Sequence, residues 1–228
     1  MLFFLGILII AWFVFAQFAM KFRIPDSEAK RKFAAETVPL FTETIDTMGI
    51  KLHYAKTGSD TLPTLFFVHG SPGSWMKFGK YLKDKDLLEK FRIISVDRPG
   101  FGYSQFGKVK SLQEQSRIIS LLLSGLQNGK PIYAIGHSYG GPMIVKLAVD
   151  NPGIFSGLVL LASSLDPAAE KPEKWRKVLF KTPLNYFVPG AWRPSNEELW
   201  CLKNELKTLT PGFTTITCPV YIQQAQVN

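Results

Sequence analysis

The apolar run Ile132-Tyr133-Ala134-Ile135 leads straight into Gly136-His137-Ser138-Tyr139-Gly140-Gly141, and a helical pattern of Met143, Ile144, Leu147 and Ala148 follows at once. No other feature constrains the fold as tightly. A strand that becomes a helix within so few residues must turn sharply, with the middle residue held in a strained conformation. Glycines are needed on both sides, because a Cβ there would strike the neighbouring strand and helix. Such a turn exposes the Ser138 hydroxyl and aims the free N–H groups of a helix start at the space before it. A Gly-rich structural turn is the plain alternative; the flanking strand and helix favour a nucleophile elbow.

Other short apolar runs share the same character: Leu65–Val68, Ile93–Val96, Leu158–Leu161 and Val220–Ile222. None alternates apolar with polar, as expected of strands buried on both faces of a parallel sheet. Helical patterns over 76–90, 111–126 and 140–150 lie between them. This alternation predicts an α/β fold with a mostly parallel, doubly wound sheet. Thr42–Asp46 and Ile50–Ala55, flanking Met48-Gly49, read as an antiparallel edge hairpin. Residues 163–215 hold six prolines and three tryptophans. They are too long for a simple connection and read as a helical cap over the sheet.

Residues 1–20 carry no charge, and only Gly6 and Gln17 fall outside the hydrophobic set. As one helix they would extend about 30 Å, enough to cross a bilayer. The expected layout is therefore a transmembrane anchor at 1–20, a juxtamembrane linker at 21–38 and a globular domain at 39–228. A cleaved signal is the alternative, although no basic segment precedes Leu2. The cations after the apolar run (Lys21, Arg23, Lys30, Arg31, Lys32) favour a single-pass arrangement with the domain on the cytoplasmic face, an exported domain being the other possibility. Much of the net charge of +9 sits there and in 171–181, and no nucleic-acid-binding motif is visible, so nucleic acid is excluded as a partner. Cys201 and Cys218 form no metal-binding pattern and no disulfide scaffold.

Two further segments fall at strand ends. His69-Gly70-Ser71-Pro72-Gly73 follows Leu65–Val68, and Asp97-Arg98-Pro99-Gly100-Phe101-Gly102-Tyr103-Ser104 follows Ile93–Val96. Ligands of open α/β sheets bind at this edge. An acyl-transfer site needs two N–H donors for its oxyanion, and Ser71 and Tyr139 are placed to supply them. His69 is read as packing beneath its loop, and the 97–104 loop as structural.

Together the three segments resemble the α/β-hydrolase superfamily, in its esterase, lipase and peptidase branch, over about residue 40 to the end. The resemblance implies Ser138 as nucleophile, the Ser71 and Tyr139 N–H groups as oxyanion hole, a small-molecule acyl substrate and no cofactor. Relatives with an aspartate nucleophile hydrolyse epoxides or haloalkanes, and Ser138 argues against both. An aminopeptidase of the same fold is the runner-up, with Glu197, Glu198 and Glu205 as candidate partners for a substrate amine. A non-catalytic binding protein is a third reading.

The pattern also departs from the family. Its order is serine, acid, histidine, yet His53, His69 and His137 all precede Ser138. The usual acid would fall at or just beyond Asn228, leaving Asp166 as an alternative acid, although a turn residue at the cap entry is the plainer reading of Leu165-Asp166-Pro167. The expectation is a chain that stops inside the penultimate strand–loop unit and is inactive as it stands, with a true pseudoenzyme as the competing explanation.

Overall fold

The computed structural model describes residues 2–224. Seven strands make one sheet: β1 (Phe41–Thr47), β2 (Ile50–Thr57), β3 (Thr64–Val68), β4 (Arg92–Val96), β5 (Ile132–His137), β6 (Gly157–Leu161) and β7 (Val220–Gln223). Their order is β1-β2-β4-β3-β5-β6-β7. The β1–β2 pair is the expected hairpin. Its two-residue turn, Met48-Gly49, has positive φ at both positions (59° and 75°), which matches the right-handed twist of the strands. β2 runs antiparallel to β4, and β4, β3, β5, β6 and β7 are mutually parallel.

Side chains alternate across the sheet and build one core on each face. Phe66, Val68, Ile94, Val96 and Ala134 face helices α4 (Leu112–Gly125), α5 (Gly140–Asp150) and α7 (Trp192–Leu209). Phe67, Ile93 and Ile135 face Trp75, Phe78 and Leu82, together with Phe33 from helix α2 (Asp26–Ala34). Both faces of β3, β4, β5 and β6 are covered, so these strands lack a polar side, as their sequences predict; β7, expected to be buried in the same way, stands last in the sheet order and is exposed at all four residues. A capping box opens α4: Ser111 and Glu114 each accept from the other's backbone N–H.

The segment 76–90 is not one helix. It forms short 3-10 turns at Trp75–Phe78 and Tyr81–Lys83, and then the one-turn helix α3 (Lys85–Leu88), which Asp84 caps by accepting from the Leu87 N–H. Its apolar residues meet the sheet from successive turns, which mimics a helical spacing. Within 163–215 lie α6 (Lys174–Lys181) and α7. The latter is no loose lid, because Leu202, Leu206 and Leu209 are buried in the main core with α4 and α5.

The transmembrane helix expected at 1–20 is overturned. The apolar segment forms α1 (Leu2–Phe18), 17 residues long, and among the described residues no helix is long and apolar enough to cross a membrane. At 1.5 Å per residue, α1 extends about 25 Å, short of a hydrocarbon core of about 30 Å. It packs instead against the cap. Trp12 Nε1 donates to Phe187 O (2.9 Å), Gln17 Nε2 to Tyr186 O (2.7 Å), and the Gly190 N–H to Ala16 O (3.0 Å). Residues 21–38 also pack on the domain. Arg23 lies over the Tyr103 and Phe106 rings, and Phe33 contacts Trp75.

Because Leu206 is fully buried while Leu184 of the outer cap is half exposed, the two parts of the cap should respond differently to truncation. Leu206→Ala is expected to cost about 2–5 kcal/mol in denaturant unfolding, and Leu184→Ala less than about 0.5 kcal/mol. Equal effects would show that α7 is not part of the core.

Candidate active site

At the end of β5 the backbone turns as its sequence demands. Ser138 has φ 53°, a left-handed conformation that a residue with a side chain adopts only under strain. The turn is held by the Ser138 N–H donating to Leu161 O (2.9 Å) and the Gly141 N–H donating to Ser138 O (2.9 Å). Its glycines have no room for a side chain. A Cβ on Gly136 would overlap the Gly140 carbonyl, and one on Gly140 would overlap the Val68 carbonyl at the end of β3. The elbow is therefore wedged between two strands and the start of α5.

The loop after β3 stands against it. A Cβ on Gly70 would come 2.9 Å from the Ser138 Cβ, so Gly70 and Ser71 pass directly beside the serine. Among the described residues, neither the Ser71 nor the Tyr139 N–H has a protein acceptor. The structure thus brings together Ser138, Ser71 and Tyr139 at the C-terminal edge of the sheet.

Sequence reasoning passed over what holds this edge together. Arg98 is fully buried, and its guanidinium uses all five donors. Nε donates to His69 O (2.9 Å), Nη1 to Gln115 Oε1 (2.9 Å) and Glu198 Oε1 (2.7 Å), and Nη2 to Gly70 O (3.2 Å) and Glu198 Oε2 (2.9 Å). It is also stacked between the Phe101 and Tyr139 rings, 4.7 and 4.5 Å from their centroids. Glu198, on α7, takes two more bonds, from Ser71 Oγ (2.7 Å) and Gln115 Nε2 (2.8 Å). One turn pair along the same helix, Glu205 accepts from Tyr139 Oη (2.9 Å) and from the Leu112 N–H (3.0 Å). Burial holds the Glu205 carboxyl above its ordinary range against the pull of those two donors. Burial first, and then the Glu198 and Glu205 charges, push the Tyr139 phenol well above its ordinary value. The only signal in the sequence was an arginine inside a loop otherwise made of turn residues.

The glutamates proposed for a substrate amine are differently disposed. Glu198 and Glu205 are engaged within the protein, while Glu197 is half-buried and burial raises its carboxyl. Asp166 is exposed, and its Oδ1 accepts from the Ala168 N–H (2.7 Å) in a local turn. It borders an apolar groove of about 540 Å³ between Leu165, Phe213 and Ile222. Asn228 lies outside the described residues.

None of the three histidines is hydrogen-bonded to Ser138. His69 is fully buried; Nδ1 bonds Gly70 O (2.7 Å) and Nε2 accepts the Arg98 N–H (3.0 Å). Burial, and then the Arg98 charge, hold it well below its ordinary value, so it is a neutral strut beneath the loop. His53 pairs with Thr44 Oγ1 (2.9 Å) on the hairpin. His137 is lowered by burial and by Lys77. A cavity of about 440 Å³ opens beside the loop, between Phe22, Arg23, Pro72, Met76 and Lys77.

The 97–104 turn rests on Asp97, fully buried, which accepts from the Trp75 N–H (2.7 Å) and the Tyr103 N–H (2.9 Å). Burial pushes its carboxyl up to about 7 from 3.8, against the pull of those donors. The folded state therefore holds this proton more tightly than the unfolded chain. The contribution to stability is full below about pH 4 and is lost as pH rises through about 7. Chemical unfolding at about pH 4.5 and about pH 7.5 should show wild type losing stability relative to Asp97→Asn as pH rises. Parallel profiles would contradict this assignment. At the elbow, Gly140→Ala should cost about 3 kcal/mol or more, because the overlap is with backbone that cannot step aside. Gly125→Ala, whose Cβ meets nothing within 4 Å, should be neutral or stabilising by up to about 1 kcal/mol. Thermal unfolding of the two variants checks both.

Known proteins resemble this chain in sequence and in fold. The family model described as alpha/beta hydrolase fold matches residues 63–186, from β3 through the elbow into the cap. Epoxide hydrolase 1 of Caenorhabditis elegans is 30% identical over 113 residues, covering 48% of this chain and 27% of that protein. A pimeloyl-[acyl-carrier protein] methyl ester esterase of Vibrio campbellii is 31% identical over 133 residues, covering 58% of this chain and 47% of its own length. The chain thus spans about half or less of the curated relatives it matches. Among solved structures, Cfl2 of Burkholderia cenocepacia superposes with a TM-score of 0.65 at 19% identity, covering 80% of this chain and 79% of that one, a likeness of fold. With the elbow, the loop after β3, the parallel sheet and a family match over more than half its length, this chain belongs to the alpha/beta hydrolase fold family.

Proposed function

We propose that the protein is a serine hydrolase of carboxylic esters or related acyl compounds, working through an acyl-enzyme on Ser138. The observation that carries the reading is the positive φ of Ser138, wedged at the sheet edge with two unclaimed N–H groups beside it. In this scheme Ser138 Oγ attacks the substrate carbonyl. The Ser71 and Tyr139 N–H groups receive the oxygen as it gains negative charge, and the strained elbow keeps the hydroxyl in place without reorganisation. The tetrahedral adduct collapses by breaking the bond to the alcohol, which leaves with the proton given up by Ser138, and the acyl group stays on Oγ. Water then attacks the acyl carbon, the acid departs and a proton returns to Ser138.

The relatives named above include both epoxide-opening and ester-cleaving enzymes, and the residue at the elbow separates the two chemistries. A carboxylate that opens an epoxide forms an ester, which water can cleave. A serine would form an ether, which water does not cleave. Ser138 therefore favours acyl transfer. An amine-recognising peptidase is supported less, because Glu198 and Glu205 already have their hydrogen bonds filled from within the protein.

The scheme requires a general base, and none of His53, His69 and His137 occupies that place. The test therefore belongs on the natural protein at its full length. A fluorophosphonate probe should label it at Ser138, and Ser138→Ala should abolish labelling with thermal unfolding unchanged within a few degrees. A folded protein that the probe leaves untouched, or one that turns over an epoxide, would refute the reading.

A further inference from the structure

Two carboxylates on one face of α7 reach across to the two residues that flank Ser138. Glu198 and Glu205 are seven residues apart, two helical turns, so they project from the same side. Glu198 takes the Ser71 hydroxyl at 2.7 Å, and Glu205 takes the Tyr139 hydroxyl at 2.9 Å. Ser71 and Tyr139 each lie just beyond a strand end, where the sheet's own ladder no longer holds the backbone. Their side chains are tied to α7 while their N–H groups are left without an acceptor.

We infer that α7 is the strut of the oxyanion hole, with Glu198 and Glu205 as positioning residues that fix Ser71 and Tyr139 respectively. This inference rests on the acyl-transfer reading of Ser138. Three features support it. Both carboxylates bond the core on their second oxygen as well, Glu198 through Arg98 and Gln115 and Glu205 through the Leu112 N–H, so each is anchored before it reaches its hydroxyl. Glu198 is 2% exposed, in a setting where a charge-assisted bond is strong and directional. Finally, Leu202, between the two carboxylates, and Leu206, next to Glu205, are buried in the main core, so the strut cannot swing out with the outer cap. The same two glutamates are thereby withdrawn from substrate binding.

The experiment uses the full-length protein and a fluorophosphonate, and measures the limiting rate of Ser138 labelling and the half-saturating probe concentration separately. Ser71→Ala and Tyr139→Phe remove one hydroxyl each and keep both N–H groups. Ser71→Ala leaves Glu198 with three donors, so folding is preserved. Each variant is expected to label about tenfold more slowly at saturation, a fraction of the loss seen when an oxyanion donor is removed outright. Half-saturation should stay within about twofold and the unfolding midpoint within a few degrees, as for a change felt only by the transition state. Glu205→Ala should match Tyr139→Phe. Glu205→Gln, which can accept from Leu112 and donate to Tyr139, should recover most of the rate. Variants that label as fast as a labelled wild type would overturn the strut. So would a rate loss that only tracks a fall in the unfolding midpoint. A folded wild type that is not labelled at all would instead remove the acyl-transfer reading, and the strut with it.

Discussion

The edge of the sheet where chemistry can occur is organised around one buried charge. Arg98 has no contact with solvent, and a guanidinium in that position is tolerable only if every donor is used and the charge is matched. Both conditions are met by groups from five different segments: the backbone after β3, Gln115 of α4, Glu198 of α7, Phe101 of its own loop and Tyr139 of the elbow. Removing either member of the ion pair would leave the other charge buried and alone, at a cost of about 3–5 kcal/mol. The pair need not add net stability over an apolar substitute. What it supplies is geometry, since five hydrogen bonds in one plane allow a single arrangement of the segments around them.

That geometry meets a second constraint at Ser138. Positive φ at a residue with a side chain persists only where the surroundings over-determine it. Here they do so through steric exclusion: Gly136, Gly140 and Gly70 let three backbone segments approach more closely than any side chain would allow. Elbow and loop are thus pressed together by close packing on one side and tied to α7 by hydrogen bonds on the other. Among the described residues, the Ser138 hydroxyl and the two N–H groups beside it have no hydrogen-bond partner within the protein.

Much of the frame was legible from residue order. The unbroken apolar runs marked the strands, because a strand covered on both faces has no reason to alternate. The hairpin was marked by Met48-Gly49, and the elbow by its glycines. Three things were not legible. The 76–90 segment imitates a helix, since successive short turns can present apolar residues at helical spacing. The apolar start reads as a span by composition, yet α1 has 17 residues and puts Trp12 and Gln17 into hydrogen bonds with the cap. The ion pair joins residues 100 positions apart, and neither partner differs locally from an ordinary surface charge.

Sequence alone determined the strands of the core, the parallel character of the sheet and the position of the serine at its edge. These depend on local properties: branched and aromatic runs, turn glycines, and a backbone that cannot carry a side chain at certain points. Only the tertiary structure decided that Arg98 and Glu198 are a buried pair, that α7 belongs to the core, and that the N-terminal helix lies against the cap. Each of these depends on which distant segments meet. Pairwise burial and charge matching set that outcome, and they have no signature in the order of neighbouring residues.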